Sequence, residues 1–173
     1  RSAGIALPVE SRKRCVFHVR SPACTPGCGL LIDPSGVYLR PEGDGWLCGV
    51  APPVHADPPS EDFDVTHELF DQIIWPALAA RVEGFDALRA VHAWAGHYDV
   101  NLLDHNMILS AHPQLDNLLF ANGFSGHGLQ HAPAVGRALA ELVLHGGYRS
   151  LDLSRLGWAR VLEGRPLPEA NVV

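Results

Sequence analysis

Residues 118–144 constrain this chain more than any other stretch of it. Leu118 to Asn122 is an apolar run without alternation, as expected of a strand buried on both faces in a parallel sheet. It runs into Gly123-Phe124-Ser125-Gly126-His127-Gly128. Beyond this, Leu129, Ala132, Val135, Leu139, Leu142 and Val143 recur with helical period as far as Leu144, and Gly146-Gly147 ends the helix. A glycine turn opening a helix points free backbone N–H groups and the positive end of the helix dipole at whatever lies in front of it. That place suits an anion or an electron-rich carbonyl. The same glycines also serve simply to let a strand turn tightly into a helix, and the pattern alone leaves both readings open.

The remaining elements predict an α+β chain. Arg14 to Arg20 alternates apolar and polar side chains like a half-buried strand. A loop with Pro22, Pro26, Gly27 and Gly29 follows, then Leu30 to Ile32 and the turn Asp33-Pro34-Ser35-Gly36. Val37 to Arg40 and Trp46 to Val50 complete a predicted antiparallel meander. After a Pro-rich loop over residues 51–60, acidic Glu61, Asp62 and Asp64 suit a helix start. Val65, Leu69, Phe70, Ile73 and Ile74 form the stripe of an amphipathic helix, which Pro76 must kink or end. A second short helix is expected over Ala77 to Val82, and a long strand over Leu88 to Tyr98.

Charge removes several function classes. A net charge of -6 gives no clustered basic footprint for nucleic acid or an anionic membrane. The longest apolar runs are broken by Pro76, Asp86, Asp99 or Asp104, so no membrane span is expected. Arg1 to Glu10 lacks the plan of a secretory signal and reads as a stretch internal to a longer protein. Four cysteines, at positions 15, 24, 28 and 48, are too few for a stapled secreted scaffold, and we expect a reducing compartment, the cytoplasm. Cys24 and Cys28 near His18 lack the second pair that a structural zinc site needs. His127 and His131, four apart on one helical face, with Asp99, Asp104, His105 and His112 upstream, sketch a metal-dependent hydrolase as one alternative. Ten histidines pair by chance, and no metal is expected.

The run Ala121 to Pro133, followed by Gly136 and Ala140-Glu141-Leu142, resembles the closing motif of the D-amino-acid oxidase, glycine oxidase and sarcosine oxidase superfamily. Ile32 to Glu42, Trp94 to Asp99 and Asp104 are similar to two further motifs of that superfamily, in the same order. The resemblance implies an FAD-binding βαβ unit intertwined with a substrate domain built on a large mixed sheet, and oxidation of a C–H bond beside an amine by hydride transfer to flavin. It also gives the glycine turn a purpose: the flavin N1–C2=O edge gains negative charge on reduction, and a helix start aimed at it stabilises that state. The Gly-x-Gly-x-x-Gly fingerprint of the βαβ unit has no match, the nearest being Gly43-Asp44-Gly45-Trp46-Leu47-Cys48 in a hairpin turn. We therefore expect the C-terminal part of a D-amino-acid oxidase-like fold whose FAD-binding half lies elsewhere: substrate-domain strands and helices over 1–117, a strand, glycine loop and helix returning to the FAD domain over 118–146, and a tail over 147–173.

Departures from the family qualify the activity. Where glycine oxidase-like members place an arginine for the substrate carboxylate, just after the position of Gly96, this chain has His97-Tyr98-Asp99. About His97 also stands where monomeric sarcosine oxidases carry the cysteine that bonds the flavin, so non-covalent FAD is implied. Gln130 replaces a lysine. The resemblance implies Tyr38, Arg40, His97, Tyr98 and Gln130 on the substrate side, with His97 and Tyr98 sharing a cavity with Tyr38 and Arg40. It implies Gly96 and Gly123, Phe124, Ser125, Gly126, His127, Gly128, Leu129 and Gln130 against FAD. Arg40 can equally stand in a surface ion pair. The expected partners are a small amine or amino-acid substrate and the missing FAD-binding half, without which FAD is not retained tightly. The alternative is a flavin-binding assembly protein with little turnover.

Overall fold

The computed structural model describes residues 4–23 and 27–170, which form two compact units. One comprises Arg12–His97; the other comprises Tyr98 onward together with the chain before Arg12. The chain before Arg12 joins the later residues: the Leu102 N–H donates to the Pro8 carbonyl oxygen at 2.8 Å, and Val9 packs with Ile108 and Phe120.

A five-stranded sheet has the order β2-β3-β4-β1-β5, from β1 (Val9–Arg20), β2 (Leu31–Ile32), β3 (Tyr38–Glu42), β4 (Gly45–Gly49) and β5 (Arg89–Asn101). β1 and β5 also supply residues to the other unit. The expected meander is present, with β1 paired antiparallel to β4. Register explains the core of this unit. Phe17, Cys48 and Leu39 lie in one row across three strands, and all three are buried. Trp46 and Val19, paired on the same face, meet Phe85 through the indole, at 5.1 Å between ring centroids. Against this face sit Leu69, Phe70, Ile74 and Leu78 from the helical segment, with Phe70 5.5 Å from Phe17. Each such side chain contributes about 1.5–3 kcal/mol of burial. Pro76 neither ends nor breaks this segment: a π-type turn over Phe70–Ile74 precedes α1 (Trp75–Ala79), so proline falls in the first turn of α1, where its missing donor costs little.

In the other unit, β6 (Ile108–Ala111) and β7 (Leu119–Asn122) form an antiparallel pair. This corrects the expected parallel strand: the apolar run 118–122 is one arm of a hairpin covered by helices, so it needs no parallel neighbour. α2 (Gly128–His145) packs Val135 and Ala138 against Met107 and Leu109, and Gly146 at φ +68° caps it by donating to the Leu142 carbonyl at 3.0 Å. The expected tail is partly folded. It contains α3 (Trp158–Leu162), whose Trp158 stacks at 4.9 Å on Phe120. Among the described residues no helix is long and apolar enough to cross a membrane.

Candidate functional site

The turn after β7 is fixed by two polar residues of β5. The carboxylate of Asp99 accepts the N–H groups of Gly123 at 2.7 Å and Phe124 at 3.3 Å, and its backbone carbonyl accepts that of Ser125 at 3.2 Å. The fully buried Ser125 hydroxyl accepts the Asn101 N–H at 3.0 Å and donates to the Gly123 carbonyl at 3.3 Å. Three residues of the turn have positive φ: Gly123 at +74°, Ser125 at +50° and Gly126 at +97°. Sterics demand glycine at the first and third. A Cβ on Gly123 would stand 2.9 Å from that of Asn101, and one on Gly126 would enter the Tyr98 ring at 2.5 Å. The glycines therefore do what the structural reading of the sequence required of them.

Gly128 behaves differently. Its φ is not in the left-handed region, and a Cβ there would meet only Phe124, at 3.6 Å. The helix that starts here receives no side-chain cap, and Leu129 in its first turn is 90% exposed. An uncapped helix start beside an exposed leucine is a surface with unmet donors and an unmet apolar contact. The His127 and His131 rings face each other at 5.8 Å, and Gln130 is exposed in the same turn.

Below the turn lies a buried polar knot. Arg160 is 5% exposed and forms an ion pair with Asp104, while its Nη2 donates to the carbonyls of Asn106 at 3.1 Å and Met107 at 2.7 Å. Burial lowers the pKa of Arg160, and Asp104 opposes that shift. Asp104 further accepts from Asn101 Nδ2 at 3.1 Å and from the N–H groups of Asn106 and Leu167, at 3.1 and 2.8 Å. Asp99 and Asp104 are thus committed to backbone and to arginine, and the hydrolase alternative loses its carboxylate ligands. Among the described residues no group of three or more His, Cys, Asp or Glu is placed to hold a metal; Cys24 lies outside them.

The substrate-side candidates fall in both units, with Tyr38, Arg40 and His97 in one and Tyr98 and Gln130 in the other. Tyr38 and Arg40 share a sheet face with His18 and Leu47, opposite the apolar core, and the Tyr38 phenol lies over Gly49, where a Cβ would come within 2.6 Å of its oxygen. Arg40 is about half exposed, paired with Glu42 and donating to the Pro41 carbonyl at 3.3 Å, so its guanidinium is already engaged. His97 turns towards the Pro-rich loop: Nε2 donates to the Asp62 carbonyl at 2.8 Å, and Phe63 lies edge-on at 4.5 Å. Tyr98 is adjacent in the same strand, points to the opposite side and covers Gly126. Gly96 leaves open space where a side chain would stand. Sequence reasoning missed Asp99, Asn101 and Ser125 as the clamp of the turn, although all three lie in or beside the motifs it singled out.

The chain thus combines a five-stranded sheet with a clamped glycine turn that opens a helix. The family model described as FAD dependent oxidoreductase matches residues 2–142, and the chain belongs to that family, of the amino-acid oxidase type. It is 47% identical over 174 residues to FAD-dependent oxidoreductase domain-containing protein 1 of Xenopus laevis, covering 98% of this chain and 35% of that protein. To the protein of the same name from Mus musculus it is 42% identical over 178 residues, covering 98% and 36%. The chain spans about a third of the length of these relatives. Its fold is similar to L-proline dehydrogenase from P. horikoshii, with TM-score 0.82, 24% identity, and 95% of this chain and 43% of that one covered. Glycine oxidase from Geobacillus kaustophilus gives 0.74, 23%, 90% and 40%. FAD fits the turn on the chain's own terms: the helix start has donors without a cap, Gly128 leaves room for close approach, and Leu129 offers an uncovered apolar side chain.

Proposed function

We propose that this chain supplies the substrate-floor strands and the flavin-facing turn of an FAD-dependent oxidoreductase acting on an amine or amino-acid-like substrate, with the dinucleotide-binding half provided by polypeptide outside these residues. The observation that carries the reading is the clamped turn 123–128, which ends in an uncapped helix start with an exposed leucine. When bound non-covalently, FAD supplies the hydride-accepting chemistry for a C–H bond beside an amine nitrogen. Gly128, Leu129 and Gln130 would hold it through backbone donors, which Asp99, Asn101 and Ser125 keep pre-oriented. Tyr38 contributes a hydroxyl on the sheet face, and Arg40 becomes available to an acidic substrate group only by leaving Glu42. A substrate held without a dedicated carboxylate clamp, such as a secondary or N-methyl amine, fits these residues best.

The test is the visible spectrum of the intact protein, followed by turnover with a panel of N-methyl amino acids, glycine and proline. Flavin bands with turnover of at least one secondary amine are expected. Flavin bands without turnover of any of them would leave a flavin-binding protein of the assembly kind, and absence of flavin would overturn the assignment of the turn.

A further inference from the structure

Residues 154–167 form a half-open pocket of about 320 Å³ lined by Arg155, Arg160 and Arg165 with Ser154, Ala159, Pro166 and Leu167, and no carboxylate is among its lining residues. The three arginines stand differently. Arg160 is buried and rigid, since Asp104 and two carbonyls hold its terminal nitrogens, yet its buried Nε has no hydrogen-bond partner. A buried N–H without an acceptor is costly, so the position calls for one. Arg165 is exposed and paired with its neighbour Glu163. Arg155 is exposed and makes no hydrogen bond or ion pair among the described residues. With Asp104 and Glu163 matched by Arg160 and Arg165, the positive charge of Arg155 is left over at the cavity.

We infer that this cavity binds a phosphate group, free or carried by a small metabolite, with Arg155 and Arg165 as its cationic arms and Arg160 as a fixed donor at its base. Guanidinium forks match tetrahedral oxyanions in geometry and hold them through two parallel hydrogen bonds. The volume lies at the small end of ligand sites, about 300–1,000 Å³, which suits a phosphate with a short organic stem rather than a dinucleotide. Pro166 and Leu167 give such a stem an apolar wall. None of these residues belongs to the clamped turn, so the inference stands apart from the proposed oxidoreductase site.

Isothermal titration of the intact protein with inorganic phosphate, and separately with glycerol 3-phosphate, tests this at constant ionic strength in chloride. Saturable binding is expected, weakened at least fivefold in the double variant Arg155→Gln/Arg165→Gln; both side chains are exposed, and an unchanged melting temperature will show that the fold is kept. Tighter binding of the ester would identify a phosphorylated metabolite as the ligand, and equal binding would identify phosphate itself. Absence of saturable binding by either probe, or a loss of less than fivefold in the double variant, would overturn the inference.

Discussion

Among the described residues, one apolar cluster holds the unit Arg12–His97, whereas the unit that begins at Tyr98 combines two smaller clusters with the polar knot around Asp104. In the first, strand register sets which side chains meet, and Phe17, Leu39, Ile74 and Phe85 are fully buried. In the second, directional hydrogen bonds select a particular backbone path, including the positive φ of Ser125 and Gly126. Apolar packing is tolerant of small shifts, and a hydrogen-bonded clamp is not. The turn proposed to meet FAD is found in the unit of the second kind, where hydrogen bonds hold positions most accurately.

The largest effects should divide along this line. Asp104→Ala leaves the charge of Arg160 buried and unmatched, and should cost about 3–5 kcal/mol in urea unfolding. Hydrogen exchange should then show protection lost first over residues 98–170. Phe17→Ala should cost a similar amount, about 3–5 kcal/mol, with protection lost first over residues 12–97. Equal loss in both units for either variant would break the comparison.

Gly126→Ala should cost about 1–3 kcal/mol, because the backbone at φ +97° disfavours a side chain and the Tyr98 ring must move. Relief of part of that cost by Tyr98→Ala in the same chain would identify the ring as its source, and full additivity would assign the cost to the dihedral alone.

Acid should act more mildly, and on both units. Lys13, then the Ser60 hydroxyl and the Asp64 N–H, hold the Asp62 carboxyl well below its ordinary value of 3.8. The backbone N–H and hydroxyl of Ser35, then Arg81, lower Asp33, and the Ser150 hydroxyl with the Arg149 N–H lowers Glu141. Each folded-state value lies below the unfolded one, so the stability these groups contribute is complete above the ordinary carboxylate range and declines as pH falls through and below it. Asp62→Asn should flatten the decline in melting temperature below about pH 4. An unchanged pH profile would show that its contacts with Lys13 and Ser60 add nothing.

What the sequence disclosed follows the same division. Alternation over residues 14–20 and helical period over 129–144 are signatures of apolar packing, and both elements are present, extended to Val9–Arg20 and Gly128–His145. The direction of β7 was not legible, since a run without alternation suits a parallel strand or a covered hairpin arm alike, and its partner Ile-Leu-Ser-Ala is too short to stand out. Asp104 and Arg160 are 56 residues apart and no pattern connects them. The motif that drew attention to Asp99 says nothing about the N–H groups its carboxylate accepts.

Gly128→Ala makes the smallest change to the apo fold and the most direct one to the central claim, that the clamped turn presents backbone donors to FAD. With no positive φ and only Phe124 near the new methyl group, the apo protein should keep its stability or gain up to about 1 kcal/mol. The measurement is apo melting, flavin affinity and flavin reduction potential on the same variant of the intact protein. The account predicts an unchanged or slightly raised apo melting temperature together with flavin affinity weakened by about tenfold or more, or a lowered potential, the scale of losing one oriented donor. Unchanged affinity and potential, or an apo loss of more than about 1 kcal/mol, would contradict it and return Gly128 to architecture alone.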